Sequence, residues 1–203
     1  TNFVFSAIED GKEIAKPLSV PACGDDLGVC LKNIIKGFEA IRETLGGKAE
    51  AISFAFPGPA DYARGIIGDL ENLPAFRGGV ALGPMLEDRF GLPVFINNDG
   101  DLFAYGEAMY GFLPLLNEQL RLAGSEKQYN NLMAITLGTG FGGGIVRNKD
   151  LLLGDNGAAG EVWLLRNPVH ANSFAEESIS ARAVVSAYQA LTNGTDQLSP
   201  EDV

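Results

Sequence analysis

The segment Leu132 to Gly144, LMAITLGTGFGGG, carries the residues best suited to chemistry on an anion. An apolar, partly β-branched run of Leu132, Ala134, Ile135 and Leu137 ends in Gly138, Gly140, Gly142, Gly143 and Gly144, and Ile145-Val146 then resumes the apolar course. The pattern predicts strand, tight turn, strand. Glycine removes the Cβ that keeps a bound group away from the main chain, and successive inward-pointing amides form a nest suited to phosphate. Three readings compete. Gly138-x-Gly140-x-x-Gly143 satisfies the dinucleotide fingerprint, yet that motif must open a helix, and here Ile145-Val146-Arg147 runs into the turn-like Asn148-Lys149-Asp150 and then Leu151 to Leu153. The glycines could instead serve only bulges and turns. A phosphate cradle between two strands is the reading the pattern favours; the Walker pattern GxxxxGK(S/T) is absent.

Acidic residues supply the other half of a reaction. Pro93 to Asn97 reads as a strand that stops at Asn98-Asp99, with a helix following from Gly100 to Tyr110. Strand ends that lead into helices are where α/β sheets place ligand-binding groups. Asn and Asp are also preferred N-caps, so capping alone would explain the pair. A carboxylate facing the glycine loop could instead accept a proton from an attacking hydroxyl. Further on, Asp155-Asn156-Gly157-Ala158-Ala159-Gly160 sets small residues before Glu161, which is placed either to bind hydroxyls or to stand solvated on a strand, and Trp163-Leu164-Leu165 continues as an apolar strand. Glu176 and Glu177 precede a helix over Ser178 to Leu191 and suit its positive N-terminus. The single histidine, His170, reads as an ordinary surface residue of the loop Asn167 to Ser173.

These candidates need a scaffold, and the preceding half of the chain predicts one. Phe3 to Val20 reads as a hairpin with Asp10-Gly11 at its tip. Leu27 to Leu45 is a helix by its apolar spacing and ends at Gly46-Gly47. Ala51 to Phe56 is a strand running into Pro57-Gly58-Pro59; Gly65 to Ile67 is strand-like; Val80 to Phe90 is a helix ended by Gly91. Alternation of this kind predicts an α/β fold. Gly111 to Asn130, with its Pro, Gly and polar residues, is read as a lobe boundary or an inserted excursion.

At 203 residues, 46% hydrophobic and 20% charged, the chain can bury a real core. A net charge of −11 argues against nucleic acid or an anionic membrane as the main partner, since both need a basic face. Cys23 and Cys30 imply neither a disulfide framework nor a zinc site, and reduced thiols in the cytoplasm are the expectation. No apolar run reaches the ~18 residues that span a membrane, and the opening residues lack a signal-peptide core. The chain opens on Thr1 inside a strand-like run and closes on Ser199-Pro200-Glu201, as if approaching another helix. It is expected to be part of a longer protein, truncated at both ends.

Single motifs are weak, but their order is specific. Pro57-Gly58-Pro59-x-Asp61, Glu71-Asn72-Leu73-Pro74, Gly91-Leu92-Pro93-Val94 to Asn98-Asp99, Gly106-Glu107, Leu137-Gly138-Thr139-Gly140-x-Gly142-Gly143-Gly144 and Ala159-Gly160-Glu161 together resemble the ROK family of sugar kinases and sugar-responsive repressors. The resemblance implies an actin-like ATPase (ribonuclease H-like) two-lobed fold, with residues 1–111 as a sugar-binding lobe and 112–203 as an incomplete phosphate-loop lobe. It implies Asp99 as catalytic base, and Gly58, Asn72, Asn98, Asp99, Glu161 and Glu176 as sugar-binding positions. Gly138, Thr139 and Gly140 match the second phosphate loop. ATP and Mg2+ are the implied cofactors, a hexose or hexose derivative the partner, and a homodimer a possible assembly.

Departures from the family pattern matter too. Its first phosphate loop, Asp-x-Gly-Gly, would precede Thr1, and its final segment would follow Val203, so the chain as given is expected to be inactive alone. Many relatives follow Gly-Glu with x-Gly-His and a cysteine-rich zinc loop. Here Val162-Trp163-Leu164 follows and the next loop has no cysteine, so no structural zinc is predicted, and no residue of this chain is singled out as a metal ligand. Two functions stay open: ATP-dependent phosphorylation of a sugar hydroxyl, or a non-catalytic sugar-sensing domain of a repressor.

Overall fold

The computed structural model describes residues 2–58, 60–68, 73–192 and 198. The chain divides into two compact units, Thr1–Asn98 and Asp99–Val203.

In the first unit, β1 (Asn2–Phe5) pairs antiparallel with β4 (Leu18–Pro21), and β2 (Ile8–Glu9) pairs with β3 (Lys12–Glu13) between them. The tip is the expected Asp10-Gly11, at φ 50° and 73°, the left-handed pair that a two-residue hairpin turn requires. Helix α1 (Leu27–Thr44) starts from Asp26, whose carboxylate accepts the Val29 N–H at 3.0 Å. Its buried positions, Cys30, Ile34, Gly37 and Ile41, recur at helical spacing. Strand β5 (Ile52–Ala55) lies parallel to β8 (Val94–Asn97), in register from Ile52 opposite Val94 to Ala55 opposite Asn97. The crossover carries β6 (Ala60–Asp61), β7 (Ile66–Ile67), a 3-10 turn over Pro74–Phe76 and α2 (Leu82–Phe90), which ends on Gly91 at φ 64°.

Aromatic rings hold this unit together. Phe5 meets Phe38 edge-on at 4.9 Å, Phe38 meets Phe54 and Phe90, and Phe56 meets Phe76 at 5.3 Å. Burying each such ring contributes roughly 1.5–3 kcal/mol, so the network welds α1, α2 and β5 into one layer-on-layer core.

In the second unit, α3 (Asp99–Met109) and α4 (Phe112–Leu122) precede an antiparallel sheet of order β11-β10-β9, formed by β9 (Asn131–Leu137), β10 (Phe141–Arg147) and β11 (Asp150–Leu151). A 3-10 turn over Val162–Leu164 and helices α5 (Glu176–Ile179) and α6 (Ala181–Thr192) follow. Helix α3, which the sequence reading assigned to the lobe 1–111, packs on β9 and β10 of this unit. Ala104, Ala108, Leu113 and Val146 form the buried core there.

One segment read without an element holds a helix, and two local expectations are corrected. The segment Gly111 to Asn130 contains helix α4; Pro114 lies in its first turn, where a missing N–H costs no helical bond, and Glu107 accepts the Phe112 N–H at 2.7 Å. Trp163 to Leu165 is no strand: the Val162 N–H turns back to Gly160 O at 2.7 Å and the Leu165 N–H to Val162 O at 3.1 Å, so these amides are satisfied locally. The final helix breaks at Ser180, whose backbone is extended at φ −62° and ψ 163°. Among the described residues no helix is long and apolar enough to cross a membrane.

Gly37 tests the aromatic core. A Cβ there would stand 2.3–2.5 Å from the ring of Phe5, which is itself buried. Gly37→Ala, favourable for an isolated helix by about 1 kcal/mol, is expected to destabilise the protein by roughly 1–3 kcal/mol through overpacking, read as a lower midpoint in denaturant; an unchanged or raised midpoint would show the core is loose at this point.

Candidate active site

The glycine segment forms a hairpin. Leu137 pairs with Phe141 and the Gly138 N–H donates to Gly140 O at 3.0 Å, so the turn is Gly138-Thr139-Gly140 and no helix follows it. The dinucleotide reading is thereby excluded. The glycines divide into two groups by what surrounds them. On β10, a Cβ at Gly144 would stand 2.8 Å from Asp101 Cα and from Gly100 O, and one at Gly142 would stand 2.6 Å from Thr136 Oγ1. These strand glycines are accounted for by packing. At Gly138 a Cβ would meet nothing within 4 Å. The amides of Thr139 and Gly140 have no acceptor among the described residues, which leaves them as the donors a phosphate could use.

The turn is anchored from the chain's far end. Ala181 N–H, opening α6, donates to Gly138 O at 2.8 Å, and Glu176 Oε2 accepts the Phe141 N–H at 2.9 Å. The same oxygen would lie 2.8 Å from a Cβ at Gly140, so glycine there admits the carboxylate. Arg182 donates to Glu176 Oε1 at 3.0 Å and to Glu177 Oε1 at 2.7 Å.

Asp99 opens α3 rather than capping it from outside, and its Oδ1 accepts the Gly100 N–H at 3.0 Å. The carboxylate thus stands at the positive end of the helix dipole. Two residues on, Asp101 is buried, 6% exposed, and its carboxyl is pushed up to about 6 by burial first, then by the charges of Glu161 and Asp99. Gly160 lets the Glu161 segment approach: a Cβ there would stand 2.7 Å from Gly143 O and 3.3 Å from Asp101 Oδ1. Glu161 Oε2 accepts the indole N–H of Trp163. Asp99, Asp101 and Glu161 therefore share one electrostatic neighbourhood, and Glu176 borders the glycine turn.

In the first unit, Asn98 Nδ2 donates to Tyr62 Oη at 3.5 Å, Tyr62 Oη donates to Phe56 O at 3.0 Å, and a Cβ at Gly58 would stand 3.2 Å from Tyr62 Oη. Gly58 and Asn98 thus come together around a tyrosine that the sequence reading passed over. Asn72 lies outside the described residues. His170 lies in a loop held by Asn167, a buried residue whose Oδ1 accepts the His170 N–H at 3.1 Å and whose Nδ2 donates to Ser178 Oγ at 2.7 Å. Asp101 and Arg182 were also missed. Asp101 looks in sequence like one more acidic residue of a first helical turn, and Arg182 like a solvated helix charge. Among the described residues no group of three or more His, Cys, Asp or Glu is placed to hold a metal ion.

Two substitutions test this geometry. Gly144→Ala drives a Cβ into backbone of α3 that cannot swing aside, and a loss of roughly 2–3 kcal/mol is expected, the upper part of the overpacking range. Asp101 binds its proton more tightly folded than unfolded, so the fold loses stability as pH rises from about 4 to about 6. Asp101→Asn should remove a penalty on the order of 3 kcal/mol at pH 7 and gain nothing near pH 4, as measured by urea unfolding at both values. A mutant equally or less stable than wild type at pH 7 would disprove the burial penalty.

Known proteins share this architecture. The model of the ROK family matches residues 1–163. The chain is 33% identical over 117 residues to a glucokinase of Thermotoga maritima, a stretch covering 58% of this chain and 32% of that protein. It is 31% identical over 171 residues to an N-acetyl-D-glucosamine kinase of Vibrio vulnificus, covering 84% of this chain and 51% of that one. The crystal structure of a glucokinase from Parabacteroides distasonis superimposes with a TM-score of 0.90 at 59% identity, over 99% of this chain and 57% of that chain. A ROK transcriptional regulator, a homologue of the E. coli MLC protein, shares the fold at 21% identity and a TM-score of 0.73, over 98% of this chain and 51% of that one. The chain thus spans between a third and three-fifths of the length of these relatives. With its mixed α/β units it has the actin-like ATPase fold, and it belongs to the ROK family.

Proposed function

We propose that the protein of which this chain is part phosphorylates a hydroxyl of a hexose or hexose derivative with ATP. The observation that carries this reading is the position of Asp99. It stands at the N-terminus of α3, which is held against β10 by Gly144, and β10 itself begins at the glycine turn. The relatives named glucokinase and N-acetyl-D-glucosamine kinase support the same chemistry.

In this mechanism Asp99 accepts the proton of the attacking sugar hydroxyl. Glu161 and Glu176 bind neighbouring hydroxyls; in the first unit, Gly58, Asn72 and Asn98 are the sugar-binding positions that the family resemblance implies. Glu161 is oriented by the indole of Trp163. The Thr139 and Gly140 amides take phosphate oxygens, and Gly138 shapes the turn that presents them. The fit to a phosphate rests on those two amides, which have no acceptor among the described residues; magnesium, a hard cation that prefers oxygen ligands and commonly arrives with substrate phosphates, would neutralise charge there. Phosphoryl transfer needs little covalent help, so orientation, a base and charge neutralisation suffice. A cytoplasmic site of action and a homodimeric assembly go with this reading. No observation favours the repressor-type sensor over it, since the likeness to the regulator extends to the fold alone.

The test is ADP release by the full-length protein with MgATP and a panel of hexoses and N-acetylhexosamines, beside Asp99→Asn. One sugar should drive turnover, and the mutant should lose at least ~10²-fold in kcat, the low end for a general base. Sugar binding without turnover in the wild type would replace the kinase with the sensor.

A further inference from the structure

The glycine turn has a carboxylate where an anion-binding loop can least accept one. Glu176 Oε2 holds the Phe141 N–H at 2.9 Å and fills the space a Cβ at Gly140 would need. An uncompensated negative charge beside the Thr139 and Gly140 amides would repel phosphate. Arg182 meets that charge: its guanidinium lies 3.0 Å from the other oxygen of Glu176. Its second contact is to the more exposed Glu177, at 2.7 Å from Oε1. The residue next to Arg182, Ala181, donates its N–H to Gly138 O, so α6 holds the turn at Gly138 while Glu176 of α5 holds it at Phe141. The break at Ser180 makes this possible, because it lets α6 start afresh beside α5, with Glu176 and Arg182 facing one another across the corner.

We propose that Arg182 is a positioning residue: it holds Glu176 against the glycine turn and offsets that carboxylate's charge, so that one side chain can both brace the turn and border a phosphate. The inference rests on the kinase reading for its phosphate. The Arg182 side chain is 56% exposed, so its effect is on orientation and local charge more than on global stability.

The experiment compares full-length wild type, Arg182→Ala, Arg182→Lys and Glu177→Gln by amide hydrogen exchange over a peptide containing 137–142 and by titration with MgATP. Arg182→Ala should speed exchange in that peptide roughly 2- to 5-fold, the range of one exposed ion pair, and weaken MgATP by a similar factor. Arg182→Lys, which keeps the charge, should recover most of the MgATP affinity, and Glu177→Gln should match wild type in both readouts. Wild-type behaviour of Arg182→Ala in either readout, failure of the lysine to rescue, or the same defect in Glu177→Gln would overturn the proposal. If wild type bound no MgATP, the kinase reading would fall with the charge-offsetting role, and the exchange comparison would still decide whether Arg182 braces the turn.

Discussion

The second unit depends on one close approach, that of α3 to β10. A helix normally stands off a sheet by the depth of its side chains. Here Gly144 faces the backbone of Gly100 and Asp101 with no Cβ between them, and Ala104 and Ala108 continue the small-residue side of the helix. Everything chemical in this unit inherits its position from that contact. Asp99 stands one residue before it, Asp101 is buried by it, and the glycine turn is where the same strand begins. Gly160 repeats the device against Gly143, which brings Glu161 into the field of Asp101.

Close packing of backbone concentrates acidic groups, and the structure offsets their repulsion in different ways. Asp101 carries a proton up to about pH 6. Glu161 is bonded by the indole of Trp163, and Glu176 by a guanidinium and a main-chain amide. Asp99 has the helix N-terminus. Three carboxylates are thus kept near one another, and a fourth stands beside the glycine turn, each with its own partner, which is the condition for giving them distinct roles.

The first unit solves a different problem. Its paired strands β5 and β8 are short, and its stability comes from aromatic rings that cross between elements. Alternation along β5 sends Ile52 and Phe56 inward while Ser53 and Ala55 face outward. That rigid layer carries the end of β8, where Asn98 reaches Tyr62 and Tyr62 reaches the main chain of Phe56.

Local pattern determined a good deal of this. The periodicity of Leu27 to Leu45, the Asp10-Gly11 turn and the strand-turn-strand over Leu132 to Val146 are short-range properties, and the structure has each of them. The order of motifs was enough to imply the ROK family and its fold. What tertiary structure alone decided was the use of each residue. Five glycines look alike in sequence, yet those of β10 make room for neighbouring atoms while Gly138 faces open space. Glu176 could be recognised as a ligand-binding candidate, but its hold on Phe141, distant in sequence, could not. Asp101 and Arg182 read as solvated helix charges because burial and partnership are set by which elements pack together, and that information lies in contacts between segments rather than in either segment alone.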